Sequence, residues 1–212
     1  MILFNDIKKI VKKRFEDNLG SHDWDHTYRV LNMAQKLAEL EGADMEIVSY
    51  AALLHDIKRY EEDQLQGAIN HEEEGAKEAR LILTKLGLEE EKIEKIASCI
   101  MTHRFRKARK PESLEAKILF DADKLDGIGA IGIGRAFVFA GEIGARVHDP
   151  DIILEETKSY TKDDTAYREY LVKLSKLKDR LYTKSAKVIA QDRHDFMVAF
   201  FERINLESKG LK

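Results

Sequence analysis

Apolar residues recur at intervals of three and four along nearly the whole chain, and no convincing stretch alternates apolar with polar. That period belongs to helices with one buried face, whereas a half-buried strand needs a period of two. The expected fold is therefore all-α, with no strand required anywhere. Only 2 prolines interrupt 212 residues rich in Lys, Glu and Leu, so long helices can run unbroken. The pattern predicts helices over roughly 4–18, 25–41, 44–58, 70–86, 89–103, 112–126, 128–145, 162–181 and 184–207. Gly20-Ser21, Glu41-Gly42 and Leu86-Gly87 read as helix exits, Pro111 with Ser113 as an entrance, and Thr161 with Asp164 as a capping box. Residues 146–160 read as a surface loop, either a lid or a plain connection.

With 43% apolar residues, a chain of this length buries a real core, and it reads as one domain over 1–212. Its core is expected over about 20–145, with a helical extension over about 160–208. The net charge of −3 supplies no global field for nucleic acid or an anionic membrane, so such contacts would have to be local. The N-terminal stretch lacks the features of a secretory signal and the 1 cysteine cannot form an internal disulfide, which points to the cytoplasm. Cys99, in Ile-Ala-Ser-Cys-Ile-Met, reads as a small buried hydrophobe rather than a nucleophile.

Residues 127–145 invite two other readings. Gly127, Gly129 and Gly132 match G-x-G-x-x-G, but a helix-like charged segment precedes them where a dinucleotide fold needs a strand. A membrane span is opposed by Arg135 and Glu142, since Arg alone costs roughly 2.5 to 3.5 kcal/mol at mid-bilayer. A buried core helix fits better, its glycines letting neighbouring helices approach closely. The Arg135 guanidinium then needs an anion, with Glu142 as one candidate.

The chemistry concentrates where the apolar run from Ser49 to Ile57 closes on His55-Asp56. A carboxylate taken out of water is penalised by several kcal/mol unless a cation meets it, and a metal ion is the cation that would also use the imidazole. The pairs His22-Asp23, His148-Asp149 and His194-Asp195 lie in polar or mixed stretches, where solvation explains them. On a helix His55 and Asp56 diverge by about 100°, which still lets both reach one ion. Asp121 and Asp123 stand about 200° apart, so both cannot point at the same one. His22 and His26 share a helical face if their stretch is helical.

His26, His55-Asp56 and Asp123 in Asp-Ala-Asp-Lys-Leu-Asp resemble the H…HD…D pattern of the HD superfamily of metal-dependent phosphohydrolases. The stretches 121–137 and 183–202 resemble its single-domain bacterial and archaeal branch, so the likeness covers nearly the whole chain. It implies an all-α HD-domain (HD/PDEase-like) helical bundle with additional C-terminal helices, and a divalent metal held by His26, His55, Asp56 and Asp123 in preference to Asp121. His71 and His103 match positions that bind a second metal in some members. They are read as lining the same cavity in catalysis, beside Asp56, without being required for the first ion. Arg59 and Tyr60 stand where some members carry a catalytic acid.

Mixed imidazole and carboxylate donors suit Mn above all, with Mg, Fe, Co, Ni or Zn as alternatives. His22, Lys58, Lys124 and Arg135 are the candidates for holding a phosphate substrate, and the basic stretch 103–110 for steering it. The resemblance thus implies hydrolysis of a small phosphate compound, a nucleotide by preference. The alternatives are a cyclic-nucleotide or other phosphodiesterase, or a catalytically silent module that senses metal and nucleotide.

Overall fold

The computed structural model describes residues 2–15, 23–104 and 109–212. Among them are helices α1 (Ile2–Arg14), α2 (Trp24–Glu41), α3 (Met45–Leu54), α4 (Arg59–Gln64), α5 (His71–Lys85), α6 (Glu90–Thr102), α7 (Leu114–Asp126), α8 (Gly129–Glu142), α9 (Ala166–Val172) and α10 (Lys184–Ser208). Short 3₁₀ turns occupy Leu154–Glu156 and Leu174–Arg180, and no strand occurs among the described residues. The fold is all-α. The chain packs as two compact units, residues 1–123 with 182–186, and residues 124–181 with 187–212. The packing therefore divides inside α7, not within the 146–160 connection.

In the first unit α3 is the centre, packed on α1, α2, α5 and α6. Every residue from Ile47 to Ile57 is buried, so this helix has no polar stripe. Asp44 starts it by accepting hydrogen bonds from the backbone N–H groups of Glu46 at 2.9 Å and Ile47 at 3.1 Å, a cap worth about 1 kcal/mol. Leu53 and Leu54 are wholly enclosed, and truncating either to alanine would cost about 2–5 kcal/mol. The helix expected over 44–58 ends at Leu54 and restarts as α4. Between them, i→i−3 bonds from Ile57 to Leu54 and from Arg59 to Asp56 replace the α-helical pattern.

Asp121 locks residues 182–183 onto α7. Its carboxylate is fully buried and accepts from the backbone N–H groups of Tyr182 at 2.9 Å and Thr183 at 2.7 Å, and from the Thr183 hydroxyl at 2.7 Å. The Ser113 hydroxyl accepts from the Ala116 N–H near the start of α7, as its position after Pro111 suggested. Gly42 and Gly87 end α2 and α5 in the left-handed region.

In the second unit α8 buries Gly129, Gly132, Ile133, Ala136 and Ala140 along one face, while Ile131 and Val138 are exposed. It is thus a one-sided core helix. Gly129 has φ of 78° and a Cβ there would meet Arg193 Cγ of α10 at 2.9 Å, so any other residue would be strained and would have to displace that side chain. The capping box expected at Thr161 and Asp164 is displaced. Asp164 accepts from the Tyr160 N–H, and Thr165 caps α9 by accepting from the Arg168 N–H. The helix expected over 162–181 gives way after Val172 to a 3₁₀ turn that buries Leu174 and Leu177, three apart on one side. Over 146–160, Arg146 is ion-paired with Asp149 and Asp163. No described helix is long and apolar enough to cross a membrane.

Candidate metal centre

Helix ends deliver the histidines. His55 is the C-cap of α3 and His103 the C-cap of α6, positions where the last carbonyls lack helical partners. Each ring folds back onto its own helix, His55 Nδ1 to the Ala52 carbonyl at 2.8 Å and His103 Nδ1 to the Ile100 carbonyl at 2.6 Å. A carbonyl only accepts, so both Nδ1 atoms carry hydrogen, and the neutral tautomer of either ring has its lone pair on Nε2. His26 lies in the first turn of α2, its N–H donating to the N-cap Asp23 at 2.8 Å. His71 is the first residue of α5, and its Nδ1 lies 2.5 Å from Glu62 Oε2.

These rings converge on Asp56. Its Oδ2 lies 3.6 Å from His26 Nε2 and 3.5 Å from His55 Nε2. Its Oδ1 lies 3.1 Å from His71 Nε2 and 3.4 Å from His103 Nε2. The imidazole nitrogens also face each other, His55 and His26 at 3.4 Å, His71 and His103 at 3.2 Å. Asp123 Oδ1 joins the first pair, 3.5 Å from His26 Nε2. Four imidazole nitrogens thus crowd round an ionisable carboxylate, and a donor set of mixed imidazole and carboxylate groups at these spacings fits a divalent ion. Two groupings of these donors have metal-ligand spacing, His26 with His55 and Asp123, and Asp56 with His71 and His103; Glu62, His71 and Glu72 form a third.

Electrostatics agree with that reading. Burial pushes His55 down to about 4, with Asp56 only partly opposing it, so its ring is neutral near pH 7. Burial would raise Asp56, but the surrounding imidazoles of His55, His103 and His71 outweigh it and hold the carboxyl well below the usual range. Burial opposes protonation of His71, yet Asp56 and Glu62 together raise it. The group at the middle is an ionised carboxylate, only 6% exposed.

The structure brings together His26, His55, Asp56, Asp123, His71 and His103. Asp121, the other carboxylate considered, is taken by Tyr182 and Thr183. His22 lies outside the described residues, as does part of the basic stretch 103–110. Lys58 is half-buried with its ammonium 3.0 Å from Glu61. Lys124 follows Asp123 on α7 and belongs to the second unit. Arg135 finds its anion in Asp126, not Glu142, at 2.8 Å from Oδ2. Its guanidinium is thus engaged by a buried carboxylate of the protein. Sequence reasoning missed Glu62 and Glu72, and it read Arg104 only as part of a basic stretch that steers substrate. Both carboxylates are buried, and Arg104 Nη1 lies 3.0 Å from Glu62 Oε2 and 3.4 Å from Glu72 Oε2.

A model of the HD domain family matches residues 23–128, the stretch that holds every one of these donors. The chain belongs to the HD-domain family. YpgQ of Bacillus subtilis is 32% identical over 210 residues, covering 97% of this chain and 93% of that protein. The crystal structure of YpgQ in complex with ADP superposes with a TM-score of 0.74 at 28% identity, over 99% of this chain and 100% of that one. An HD-superfamily hydrolase from Bacillus thuringiensis gives a TM-score of 0.78 at 32% identity, over 97% and 96%. HD domains bind divalent metals, and this one has His/Asp groupings able to hold them. Hydrolase chemistry is accordingly the family's activity.

Proposed function

We propose that this HD protein is a metal-dependent phosphohydrolase that cleaves a phosphoanhydride or phosphoester bond of a nucleotide, with Mn as the preferred ion. The observation that carries the reading is the placement of Asp56, whose two oxygens face separate histidine pairs. A dyad of ions about one carboxylate would hold both the attacking and the leaving oxygen of a displacement at phosphorus, lower the pKa of a bound water and draw charge from the phosphoryl oxygens. His26, His55 and Asp123 would hold the ion on the Oδ2 side of Asp56, and His71 with His103 the ion on the Oδ1 side.

The protein's own contribution is orientation and charge. Bonds to the Ala52 and Ile100 carbonyls fix the His55 and His103 rings with Nε2 inward, so the neutral tautomer that offers Nε2 to a cation is the one the helix ends select. Lys58, two residues after Asp56, is the nearest cation in sequence for the remaining phosphate oxygens. The ADP held by YpgQ supports a nucleotide ligand here, and the mixed imidazole and carboxylate donors support Mn.

The test is turnover of nucleoside mono-, di- and triphosphates and cyclic nucleotides by protein stripped with chelator and reloaded with single metals. Hydrolysis that appears only on reloading, best with Mn, is the expected result. Full turnover in the metal-free state would overturn the mechanism. Release confined to cyclic nucleotides would make the protein a phosphodiesterase of that class. A second reading, a metal and nucleotide sensor, is favoured by one feature: Arg59 and Tyr60 follow the His-Asp pair where a catalytic acid would be expected. Nucleotide binding without turnover of any substrate would select it.

A further inference from the structure

Glu62 sits in the charged run Tyr60-Glu61-Glu62-Asp63, yet it is only 3% exposed. Its Oε2 is 2.5 Å from His71 Nδ1, 3.0 Å from Arg59 Nη1 and 3.0 Å from Arg104 Nη1, and its Oε1 is 3.2 Å from the same Arg104 nitrogen. Arg104 Nη1 also approaches His71 Nδ1 to 2.9 Å and Glu72 Oε2 to 3.4 Å. Glu62, His71 and Glu72 have metal-ligand spacing among themselves, but a guanidinium already lies against all three. That grouping is a socket for Arg104, not a further ion site.

The socket decides which nitrogen of His71 carries hydrogen. An ionised carboxylate only accepts, so at 2.5 Å from Glu62 Oε2 the His71 Nδ1 must be the donor, and Arg104, which can only donate, gives its hydrogens to Glu62 and Glu72. Without Glu62, Glu72 is still engaged by Arg104, and the carboxylate at hydrogen-bond distance from His71 is Asp56, whose Oδ1 is 3.1 Å from Nε2. The neutral ring would then gain most by moving its hydrogen to Nε2 and donating it to Asp56. That hydrogen would occupy the position a cation needs.

We propose that Glu62 is the positioning residue of the His71 side of the centre: backed by Arg59 and Arg104, it wins the His71 hydrogen from Asp56 and leaves Nε2 open to a divalent ion. The inference rests on the two-position reading above. Its scale is that of carboxylate partners to metal-bound histidines, about 10- to 100-fold in affinity.

The experiment is calorimetric titration of metal-free full-length protein with Mn²⁺, comparing wild type, Glu62→Gln, Glu62→Asp and His71→Ala. Wild type should take up ions in two phases. Glu62→Gln should keep the first phase unchanged and weaken the second by about 10- to 100-fold, with Glu62→Asp restoring part of the loss. The unchanged first phase doubles as the check that the variant is folded. Two wild-type phases in Glu62→Gln would overturn the proposal, as would equal loss of both. A wild type that binds one ion and is unaffected by His71→Ala would instead overturn the two-position reading. Imidazole ¹⁵N shifts of metal-free wild type, at a pH where His71 is neutral, then decide on Glu62 without any variant. Hydrogen on Nδ1 supports its role, and hydrogen on Nε2 refutes it.

Discussion

The Oδ1 atom of Asp56 lies 3.1 Å from Nε2 of His71, while the Oδ2 atom of the same carboxylate faces His55 at 3.5 Å. One side chain thereby serves two sets of donors, and its removal should have a different outcome from removal of any one histidine. Asp56→Ala is expected to strip all bound metal, whereas His26→Ala and His71→Ala should each lower the content by one ion. Elemental analysis of purified, folded variants reads this directly. Equal metal content in Asp56→Ala and wild type would remove the centre from Asp56 altogether.

Asp121 and Asp123 sit two residues apart and have separate duties. Asp121 accepts three hydrogen bonds from residues 182 and 183, and its loss leaves buried donors unpaired at about 1–3 kcal/mol each. Asp121→Asn should therefore lower the melting temperature markedly while the folded protein keeps its metal. Asp123→Asn should do the reverse. A stable, metal-free Asp121→Asn beside a metal-replete Asp123→Asn would show that the two have been interchanged.

The helices were legible from spacing because a period of 3.6 survives any tertiary detail, and Gly42 and Gly87 marked exits that only a residue tolerant of positive φ makes cheaply. The break after Leu54 was not. The apolar run continues to Ile57, and what ends the helix is a turn in which the His55 ring takes up the Ala52 carbonyl, a conformational choice without a periodic signature. His26, His55, Asp56 and Asp123 could be picked out because the resemblance fixes their order, and composition alone would have left Asp121 and Asp123 equal. Thr183 lies 62 residues from Asp121, a separation no local pattern reports. The roles of Glu62 and Glu72, and the partners of Arg104, stayed hidden for the same reason. Charged residues in polar stretches read as solvated until the fold brings their partners to them.

Arg135 was a natural candidate for gripping phosphate, and its pairing with Asp126 predicts another phenotype. Asp126 is 5% exposed, so Arg135→Ala removes a charged partner from a buried carboxylate, at a cost of about 1–3 kcal/mol. The variant should unfold at lower denaturant concentration, and the folded fraction should keep its kcat/KM. A drop of tenfold or more in kcat/KM with unchanged stability would return Arg135 to the substrate.

Tyr50 links stability to alkaline pH. Its hydroxyl donates to Glu46 Oε1 at 3.0 Å, and burial followed by that carboxylate pushes the phenol up to about 12. In the unfolded chain the group titrates near 10. Because the folded value is the higher one, the folded state binds the proton more tightly. The stabilisation is therefore complete below about pH 10 and is lost as pH rises towards 12. Chemical denaturation between pH 9 and 12 should show this decline in wild type and a flatter profile in Tyr50→Phe. A decline of equal slope in both would assign the alkaline sensitivity elsewhere.

Cys99 offers the last test, because it separates a structural thiol from a reactive one. The side chain is fully enclosed on α6, and burial pushes the thiol up to about 12. At pH 8 almost none of it is thiolate, and the thiolate is the species that attacks a disulfide reagent. Thiol titration of the native protein should therefore find essentially no reaction over hours, with one equivalent released once denaturant is added. Cys99→Ser should keep metal content and turnover while losing stability, since a hydroxyl costs more than a thiol to bury at a fully enclosed position. Rapid modification of the native protein, or loss of turnover in a folded Cys99→Ser with its metal intact, would show that the thiol has a chemical role after all.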